Sequence, residues 1–208
     1  MKLSIIIPTY NEAENIKELI SEIGKVCKKD MLSYNIIIVD DNSPDNTSKI
    51  VKDVMQEDKH VTLIEREGKM GLGTAYIKGI KYSLNNLHPD LIMTMDADFS
   101  HNPKYIPDFV NKIKYGFDVV LGSRYVPGGG IGNWGIHRTI ISKGANYLAK
   151  TLLGLVTKDN TTGYRIYKRE VLERIDLNSI KSNGYSFLME MVFLCQYHNF
   201  KIAETPIF

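Results

Sequence analysis

The stretch Leu91-Ile92-Met93-Thr94-Met95-Asp96-Ala97-Asp98-Phe99-Ser100-His101-Asn102-Pro103 decides the fold class of this chain. Its apolar start is typical of a strand that is covered on both faces, and two carboxylates one residue apart follow where that run ends. Side chains two positions apart on an extended segment point the same way, so Asp96 and Asp98 can reach one hard cation. The stretch predicts a buried strand with a Mg²⁺ or Mn²⁺ site at its carboxyl end.

Further strand-like runs alternate with helical patterns along the first two thirds of the chain. Short apolar runs predict four more strands, at residues 5–7, 36–39, 61–65 and 119–122. The spacing of amphipathic helices occurs at residues 12–27, 45–57, 74–87 and 103–114. This alternation predicts an α/β fold with a mostly parallel, doubly wound sheet and helices on both faces. Ligands of such sheets bind beyond the carboxyl ends of the strands.

Length and composition favour one domain without nucleic-acid affinity. The 208 residues contain no Pro/Ser-rich linker and no internal repeat, so a single domain over residues 1–208 is expected. The formal net charge of +2 argues against general nucleic-acid binding. Cys27 and Cys195 are isolated and predict buried free thiols. The sequence shows no signal peptide and no apolar run of the roughly 18 residues that a membrane span requires.

Polar side chains collect at the predicted strand ends. Asp41 follows the second strand, where its carboxylate can accept from ring N–H or hydroxyl donors of a nucleotide. Asp40 beside it points the other way and is expected to cap the turn. Arg124 follows the fifth strand, and its guanidinium can hold a phosphate through two parallel hydrogen bonds. Since parallel strands end at one edge, these groups predict a binding site for a nucleotide diphosphate.

Six ordered motifs resemble those of family 2 glycosyltransferases, and in particular of the branch that contains dolichyl-phosphate mannosyltransferases and other polyprenyl-phosphate glycosyltransferases. They are PTYNE at 8–12, DDNSPDNT at 40–47, DADFSHNP at 96–103, GSRYVPGGG at 122–130, TTGYR at 161–165 and GYSFLMEM at 184–191. The resemblance implies a GT-A fold and an inverting, metal-dependent transfer of a sugar. It further implies mannose from GDP-mannose as the donor group and dolichyl or another polyprenyl phosphate as the acceptor.

The resemblance also assigns roles to individual positions. It implies that Asp96, Asp98 and Arg124 are catalytic and that Asp96, Asp98 and Ser100 bind Mg²⁺ or Mn²⁺. The implied donor-binding residues are Pro8, Tyr10, Glu12, Val39, Asp41 and Ala97. Arg165, Lys168 and Arg169 form a cationic cluster from which Arg169 is expected to reach the diphosphate. A solvated surface position is the alternative for that cation.

The second part of the chain is expected to bind the acceptor. Residues 1–122 would form the nucleotide-sugar and metal half, and residues 123–208 the acceptor half. Apolar and cationic side chains interleave over residues 135–156, which predicts a helix at a membrane interface, with a core helix as the alternative. The resemblance implies that Arg138 and Ser142 bind the lipid phosphate. It also implies a peripheral protein at the cytoplasmic face of a membrane.

Two other functions stay open at the level of sequence. The first is the same fold acting on a hydroxyl of a glycan, for which Glu190 is the candidate base unless it is a buried, hydrogen-bonded structural residue. The second is a non-catalytic fragment that binds a nucleotide sugar. The chain ends on an apolar strand, which predicts truncation at the C-terminus. Either a membrane-anchoring subunit or a missing C-terminal membrane segment is therefore expected to hold the protein at the membrane.

Overall fold

The computed structural model describes residues 1–130, 144 and 150–208. These residues form one sheet of seven strands. The strands are β1 (Lys2–Thr9), β2 (Ser33–Asp40), β3 (Val61–Glu65), β4 (Leu91–Thr94), β5 (Val119–Ser123), β6 (Arg165–Lys168) and β7 (Ile202–Pro206). The strand order is β3-β2-β1-β4-β6-β5-β7. Every pairing is parallel except those of β6, which runs antiparallel to β4 and β5. The predicted α/β class with a mostly parallel sheet is confirmed.

Helices follow the strands as the amphipathic patterns predict. They are α1 (Ile16–Lys29), α2 (Thr47–Glu57), α3 (Leu72–Tyr82), α4 (Ile106–Lys114), α5 (Arg169–Arg174) and α6 (Gly184–Tyr197). A π-helical turn, Ser83–Leu87, extends α3, and a 3₁₀ turn, Pro103–Tyr105, precedes α4. The first helix begins later than predicted because the N–H groups of Asn15 and Ile16 both donate to the Glu12 carbonyl, which closes a turn.

The central strands β1, β2, β4 and β5 are largely buried on both faces, and alternate side chains enter two separate cores. Ile5 and Ile7 pack with α1, α2 and α4, whereas Ile6 packs with α3, α5 and α6. All three isoleucines are fully buried. This arrangement explains why the strands have continuous apolar runs instead of an alternation of apolar and polar residues. The prediction of helices on both faces is confirmed.

The register of the three central strands brings their carboxyl ends together. Thr9 at the end of β1 pairs with Asp40 at the end of β2, and Ile6 of β1 pairs with Thr94 at the end of β4. The Asp41 N–H then donates to the Thr9 carbonyl at 3.0 Å. The polar loops after β1, β2 and β4 therefore meet at one edge of the sheet, called here the carboxyl edge. Among the described residues, none of the helices has the length and hydropathy needed to cross a membrane.

Candidate active site

A cavity of about 360 Å³ lies at the carboxyl edge. It is lined by residues of the loops after β1, β2, β3 and β4 and of the first turns of α3 and α6. Seven of the predicted donor or metal residues line it: Pro8, Tyr10, Glu12, Asp41, Asp96, Ala97 and Asp98. The other lining residues are Thr9, Lys69, Gly71, Leu72, Ala75, Thr161, Gly184, Tyr185 and Leu188. The structure thus brings together most of the residues that the sequence motifs assign to the donor.

Asp96 is held by neutral groups behind the cavity. The Tyr76 hydroxyl donates to Asp96 Oδ1 at 2.7 Å, and the Asp96 N–H donates to His101 Nδ1 at 2.8 Å. His101 is buried, and its ring stacks on Tyr164 with centroids 5.0 Å apart. Burial lowers the pKa of His101, and the negative charge of Asp96 opposes that shift only in part. A neutral imidazole that accepts at Nδ1 carries its proton on Nε2.

Asp98 is exposed, and its local partner is Ser100. The Ser100 hydroxyl donates to Asp98 Oδ1 at 2.6 Å, and the Ser100 N–H donates to the same oxygen at 3.1 Å. Phe99 between them has a φ of 59°, which turns the chain tightly enough for this contact. Ser100 itself does not line the cavity. The role of Ser100 as a third metal ligand stays a prediction. Its two hydrogen bonds to Asp98 orient the carboxylate.

Glu12 places a third carboxylate in the same cavity. The loop after β2 positions it, because the N–H groups of Glu12 and Ala13 donate to Thr47 Oγ1 and Asp45 Oδ2, both at 3.0 Å. Burial is the main cause that raises the pKa of Glu12, and the negative charges of Asp98, Asp45 and Asp96 raise it further. The cavity therefore concentrates negative charge that a cation would relieve.

The donor set fits a hard divalent cation. Asp96 Oδ2 and Asp98 Oδ2 accept no hydrogen bond from the described residues, and His101 Nε2 lies 3.6 Å from Asp96 Oδ2, so one oxygen of each carboxylate is open to a metal. Within residues 1–130, 144 and 150–208, no group of three or more histidine, cysteine or acidic side chains is arranged to hold an ion. Two carboxylates are nevertheless what Mg²⁺ requires when phosphate oxygens and water complete its coordination.

The loop after β3 supplies two cations that the sequence reasoning missed. Arg66 forms an ion pair with Asp41, and both side chains are buried. Lys69 lies with Nζ 4.4 Å from the centroid of the Tyr10 ring. The signal was present, because Arg66 directly follows the predicted third strand and parallel strands end at one edge. Asp41 lines the cavity as predicted, with a carboxylate already engaged by Arg66.

Arg124 is engaged by a buried acid and does not line the cavity. Its Nε donates to Asp159 Oδ2 at 2.7 Å, and its Nη2 donates to Asp159 Oδ1 at 2.8 Å and to Thr161 Oγ1 at 3.0 Å. Asp159 is fully buried and is fixed in turn by Glu204 of β7, which accepts its N–H at 3.0 Å. The guanidinium thus orients the loop that carries Thr161, and a phosphate contact by Arg124 stays a prediction.

Two predicted donor residues lie elsewhere. Val39 is fully buried and packs in the core near Gly79, so its side chain does not line the cavity. Arg169 lies at the opposite, amino edge of the sheet, where its N–H donates to the Asp90 carbonyl and its Nε to Glu173. The prediction that Arg169 reaches the diphosphate is therefore wrong. The reason is that β6 is antiparallel, so its end lies at the edge where β4 begins.

Other candidates have structural partners. Arg165 is fully buried and donates to the carbonyls of Thr162, Leu188 and Asn160. Glu190 on α6 accepts from the Ser182 hydroxyl, as the structural alternative requires, but its side chain is only half-buried. The predicted acceptor residues Arg138 and Ser142 lie outside the described residues.

Asp40 has the structural role that was expected of it. It accepts from Thr9, Ser43 and Ser48. Burial raises its pKa, but these hydrogen bonds outweigh burial and leave the pKa below its ordinary value. Asp40 thus joins the ends of β1 and β2 and shapes the loop that positions Glu12.

A mostly parallel sheet with an acidic cavity at its carboxyl edge places the chain among α/β proteins that bind nucleotides at the carboxyl ends of their strands. Residues 4–176 match the profile described as glycosyl transferase family 2, and the chain belongs to that family. The resemblance that the motifs indicated is thereby confirmed. The fold also matches that of glucosyl-3-phosphoglycerate synthase from Mycobacterium tuberculosis, solved with Mn²⁺, UDP and its product. That match has a TM-score of 0.70 and 18% identity and covers 99% of this chain and 70% of the other.

Two curated relatives are considerably more similar in sequence. Polyprenol monophosphomannose synthase of Mycolicibacterium smegmatis is 38% identical over 204 residues, which are 98% of this chain and 75% of the relative. Dolichol-phosphate mannosyltransferase of Pyrococcus furiosus is 39% identical over 208 residues, 99% of this chain. The match covers 56% of the Pyrococcus protein, so this chain spans little more than half of that relative.

Proposed function

We propose that this chain transfers mannose from GDP-mannose to a polyprenyl phosphate such as dolichyl phosphate, with inversion at the anomeric carbon. The observation that carries the proposal is that seven residues predicted to bind the donor or the metal line one cavity at the carboxyl edge. The names of the two curated relatives support the sugar and the acceptor. Residues 1–122 would form the donor half and residues 123–208 the acceptor half.

The site would hold Mg²⁺ or Mn²⁺ through Asp96 and Asp98. When bound, such an ion offsets the charge that develops on the departing nucleoside diphosphate. Glu12 adds negative charge to the same cavity. Asp41 and Tyr10 would contact the nucleoside, because both line the cavity. Each lies beside a cation: Asp41 pairs with Arg66, and Lys69 lies over the Tyr10 ring.

A phosphate acceptor needs little activation by the protein. A phosphate monoester with a second pKa of about 6 is largely dianionic at neutral pH, so it can attack without a general base. The protein must then place two anionic partners in line and offset their charges. Arg124, Arg138 and Ser142 would serve the acceptor. Glu190 accepts a hydrogen bond from Ser182 and does not line the cavity, which makes it a poor base for a hydroxyl acceptor.

The acceptor also implies contact with a membrane, and we propose that this contact is peripheral and at the cytoplasmic face. The described end of the predicted interface segment supports the proposal. Leu152 and Val156 are 72% and 64% exposed. Gln196 of α6 fixes the turn between them through the Gly154 carbonyl and the Val156 N–H. Exposed apolar side chains at such a fixed turn can enter the interfacial region of a bilayer.

The test is a transfer assay with Mn²⁺, radiolabelled GDP-mannose and dolichyl phosphate. We expect labelled mannose in the organic phase, in an acid-labile phosphate linkage. Label that instead enters an added glycan would establish the hydroxyl-acceptor alternative. Binding of GDP and Mn²⁺ without any turnover would contradict the proposal and favour a binding fragment. Parallel assays with UDP-glucose test the choice of donor.

A further inference from the structure

Asp96 is fixed from behind by side chains that the donor motifs do not assign. Tyr76 of α3 is fully buried, and its hydroxyl donates to Asp96 Oδ1 at 2.7 Å. His101 accepts the Asp96 N–H, and the His101 ring is fixed by stacking on Tyr164. Each partner comes from a different part of the chain, so the arrangement depends on the tertiary fold.

The segment before β6 closes this arrangement from the other side. A Cβ added at Gly163 would lie 2.7 Å from the Tyr76 hydroxyl oxygen and 3.0 Å from Asp96 Oδ1. The Gly163 carbonyl accepts from Thr94 Oγ1 at 2.7 Å, which ties this position to the end of β4. The contact between hydroxyl and carboxylate therefore exists only because residue 163 has no side chain.

We propose that Tyr76 and His101 are positioning residues: Tyr76 holds the Asp96 carboxylate through Oδ1 and His101 holds the Asp96 backbone N–H, so that Oδ2 is presented to the metal. The inference rests on the proposed function in one respect, namely that Asp96 is a metal ligand. The torsion that rotates a carboxylate has broad, roughly two-fold preferences, so a hydrogen bond to one oxygen decides which oxygen is available. Partners behind a ligand commonly set its orientation and affinity in this way.

The chemistry of the partners supports this role over simple satisfaction of buried groups. The Tyr76 phenol orients the Asp96 carboxylate and leaves its negative charge for a cation, while His101 fixes the Asp96 backbone through its N–H. An arginine or lysine partner would instead neutralise it, as Arg66 does for Asp41 and Arg124 for Asp159. Of the two kinds of acid at this edge, Asp96 has the partners that a metal ligand requires.

The test compares Tyr76→Phe with Tyr82→Phe, a matched change at the far end of the same helix. Binding of Mn²⁺ in the presence of GDP is measured from the electron paramagnetic resonance signal of the free ion, and calorimetry gives GDP affinity without metal. We expect Tyr76→Phe to weaken Mn²⁺ binding about tenfold or more. Metal-free GDP affinity should stay unchanged, and Tyr82→Phe should match the parent in both. A folded Tyr76→Phe protein whose Mn²⁺ affinity lies within about twofold of the parent would overturn the inference.

A second pair of variants tests His101 with a conservative rescue. His101→Asn keeps an acceptor atom at a comparable distance from the backbone, whereas His101→Leu removes it. We expect the asparagine variant to keep most of the Mn²⁺ affinity that the leucine variant loses. Equal Mn²⁺ affinity in the two folded variants would contradict a positioning role for His101.

The failures of the two proposals are distinguishable. A parent chain that binds Mn²⁺ with GDP but makes no lipid-linked sugar would overturn the proposed acceptor, and the variants' Mn²⁺ affinities would still decide this inference. A parent chain that binds GDP equally with and without Mn²⁺ would overturn the inference itself.

Discussion

Both edges of the sheet carry charged side chains. Asp96 and Asp98 at the carboxyl edge have neutral hydrogen-bond partners, whereas Asp118 and Glu173 at the amino edge have cationic ones. At the carboxyl edge, Asp96 and Asp98 accept hydrogen bonds from hydroxyl and backbone donors. At the amino edge, Asp118 accepts from Lys168 Nζ at 2.7 Å, and Arg169 donates to Glu173 at 2.6 Å. Neutral donors orient a carboxylate without cancelling its charge, whereas cations cancel it.

The difference separates function from structure at the level of charge. At the amino edge, Asp118 and Glu173 already have cationic partners. The cavity at the carboxyl edge collects the carboxylates of Glu12, Asp96 and Asp98, none of which forms an ion pair with a lysine or arginine of the described residues. That uncompensated charge supports the proposal that a divalent cation binds in this cavity.

The largest effect is expected when that uncompensated charge is reduced. Asp98→Asn keeps the shape of the side chain and an acceptor for Ser100 but removes the negative charge. A metal contributes several kcal/mol to transfer, so we expect the rate of lipid-linked mannose formation to fall about a thousandfold. Asp118→Asn at the amino edge, assayed alongside, should leave the rate unchanged. A rate for Asp98→Asn above about a tenth of the parent's, with unchanged metal dependence, would remove Asp98 from the metal site.

The next effect concerns stability and divides the ion pairs by burial. Asp159 is fully buried opposite Arg124, so Asp159→Asn leaves a guanidinium without its charge partner. We expect the free energy of unfolding to fall by about 3 kcal/mol. Asp118 and Lys168 have 17% and 29% of their side chains exposed, and Asp118→Asn should cost less than about 1 kcal/mol. Urea denaturation measures both, and equal losses would show that burial does not separate these pairs.

The sequence predicts the carboxyl edge well because its signals are local. Apolar runs mark β1, β2 and β4, and the acids that follow each run are displayed at one edge by the parallel connection alone. Asp41 and Asp96 are found by this rule without any tertiary information, whereas the roles of Pro8 and Glu12 come from the resemblance to family 2 glycosyltransferases. Arg66 falls under the same rule at the end of β3 and was overlooked only because that strand end was not considered.

The rest depends on tertiary pairing that no local pattern contains. Arg124 meets Asp159 across 35 residues of sequence, and Asp159 lies in a segment without strand or helix periodicity. The prediction for Arg169 rests on a cluster of cations, and the sequence pattern does not predict β6, the strand that precedes it. Only its observed pairing with β4 sends its end to the amino edge. Val39 was expected at the donor, but its position on the pleat turns the side chain into the core.

Glu12 at the carboxyl edge and Asp118 at the amino edge are also expected to respond to pH in opposite directions. Burial, followed by nearby negative charges, raises the pKa of Glu12 above its ordinary 4.5. Burial acts on Asp118 as well, but hydrogen bonds from Lys168 and the Lys201 N–H outweigh it and hold the pKa of Asp118 below 3.8. The surroundings of Glu12 thus disfavour its charged form, and those of Asp118 favour its charged form.

The consequences for stability have opposite signs. The contribution of Asp118 is present above pH 3.8 and is lost as pH falls through its lowered pKa. Glu12 costs stability as pH rises from 4.5 through its raised pKa. We therefore expect Glu12→Gln to increase the gain in stability between acidic and neutral pH, and Asp118→Asn to decrease it. Urea unfolding across that range measures the difference, and a change of the same sign in both variants would contradict the assignment.

The smallest effect compares one cation from each edge. Lys69 is exposed, and its ammonium lies over Tyr10 at the cavity, where an exposed contact of this kind contributes about 0.5–1 kcal/mol. We expect Lys69→Gln to weaken GDP binding about two- to fivefold, with a smaller difference at high salt because exposed charges are screened.

Arg169→Gln is the matched change at the amino edge, where the side chain contacts only Glu173 one helical turn away. Such a pair contributes about 0.3–0.5 kcal/mol to stability, and GDP affinity should not change. Calorimetry at low and high salt measures both variants. If Arg169→Gln weakened GDP binding as much as Lys69→Gln, the influence of these cations would come from the overall charge of the protein. A loss confined to Lys69→Gln would instead show that the edge at which a cation lies decides whether it acts on the donor.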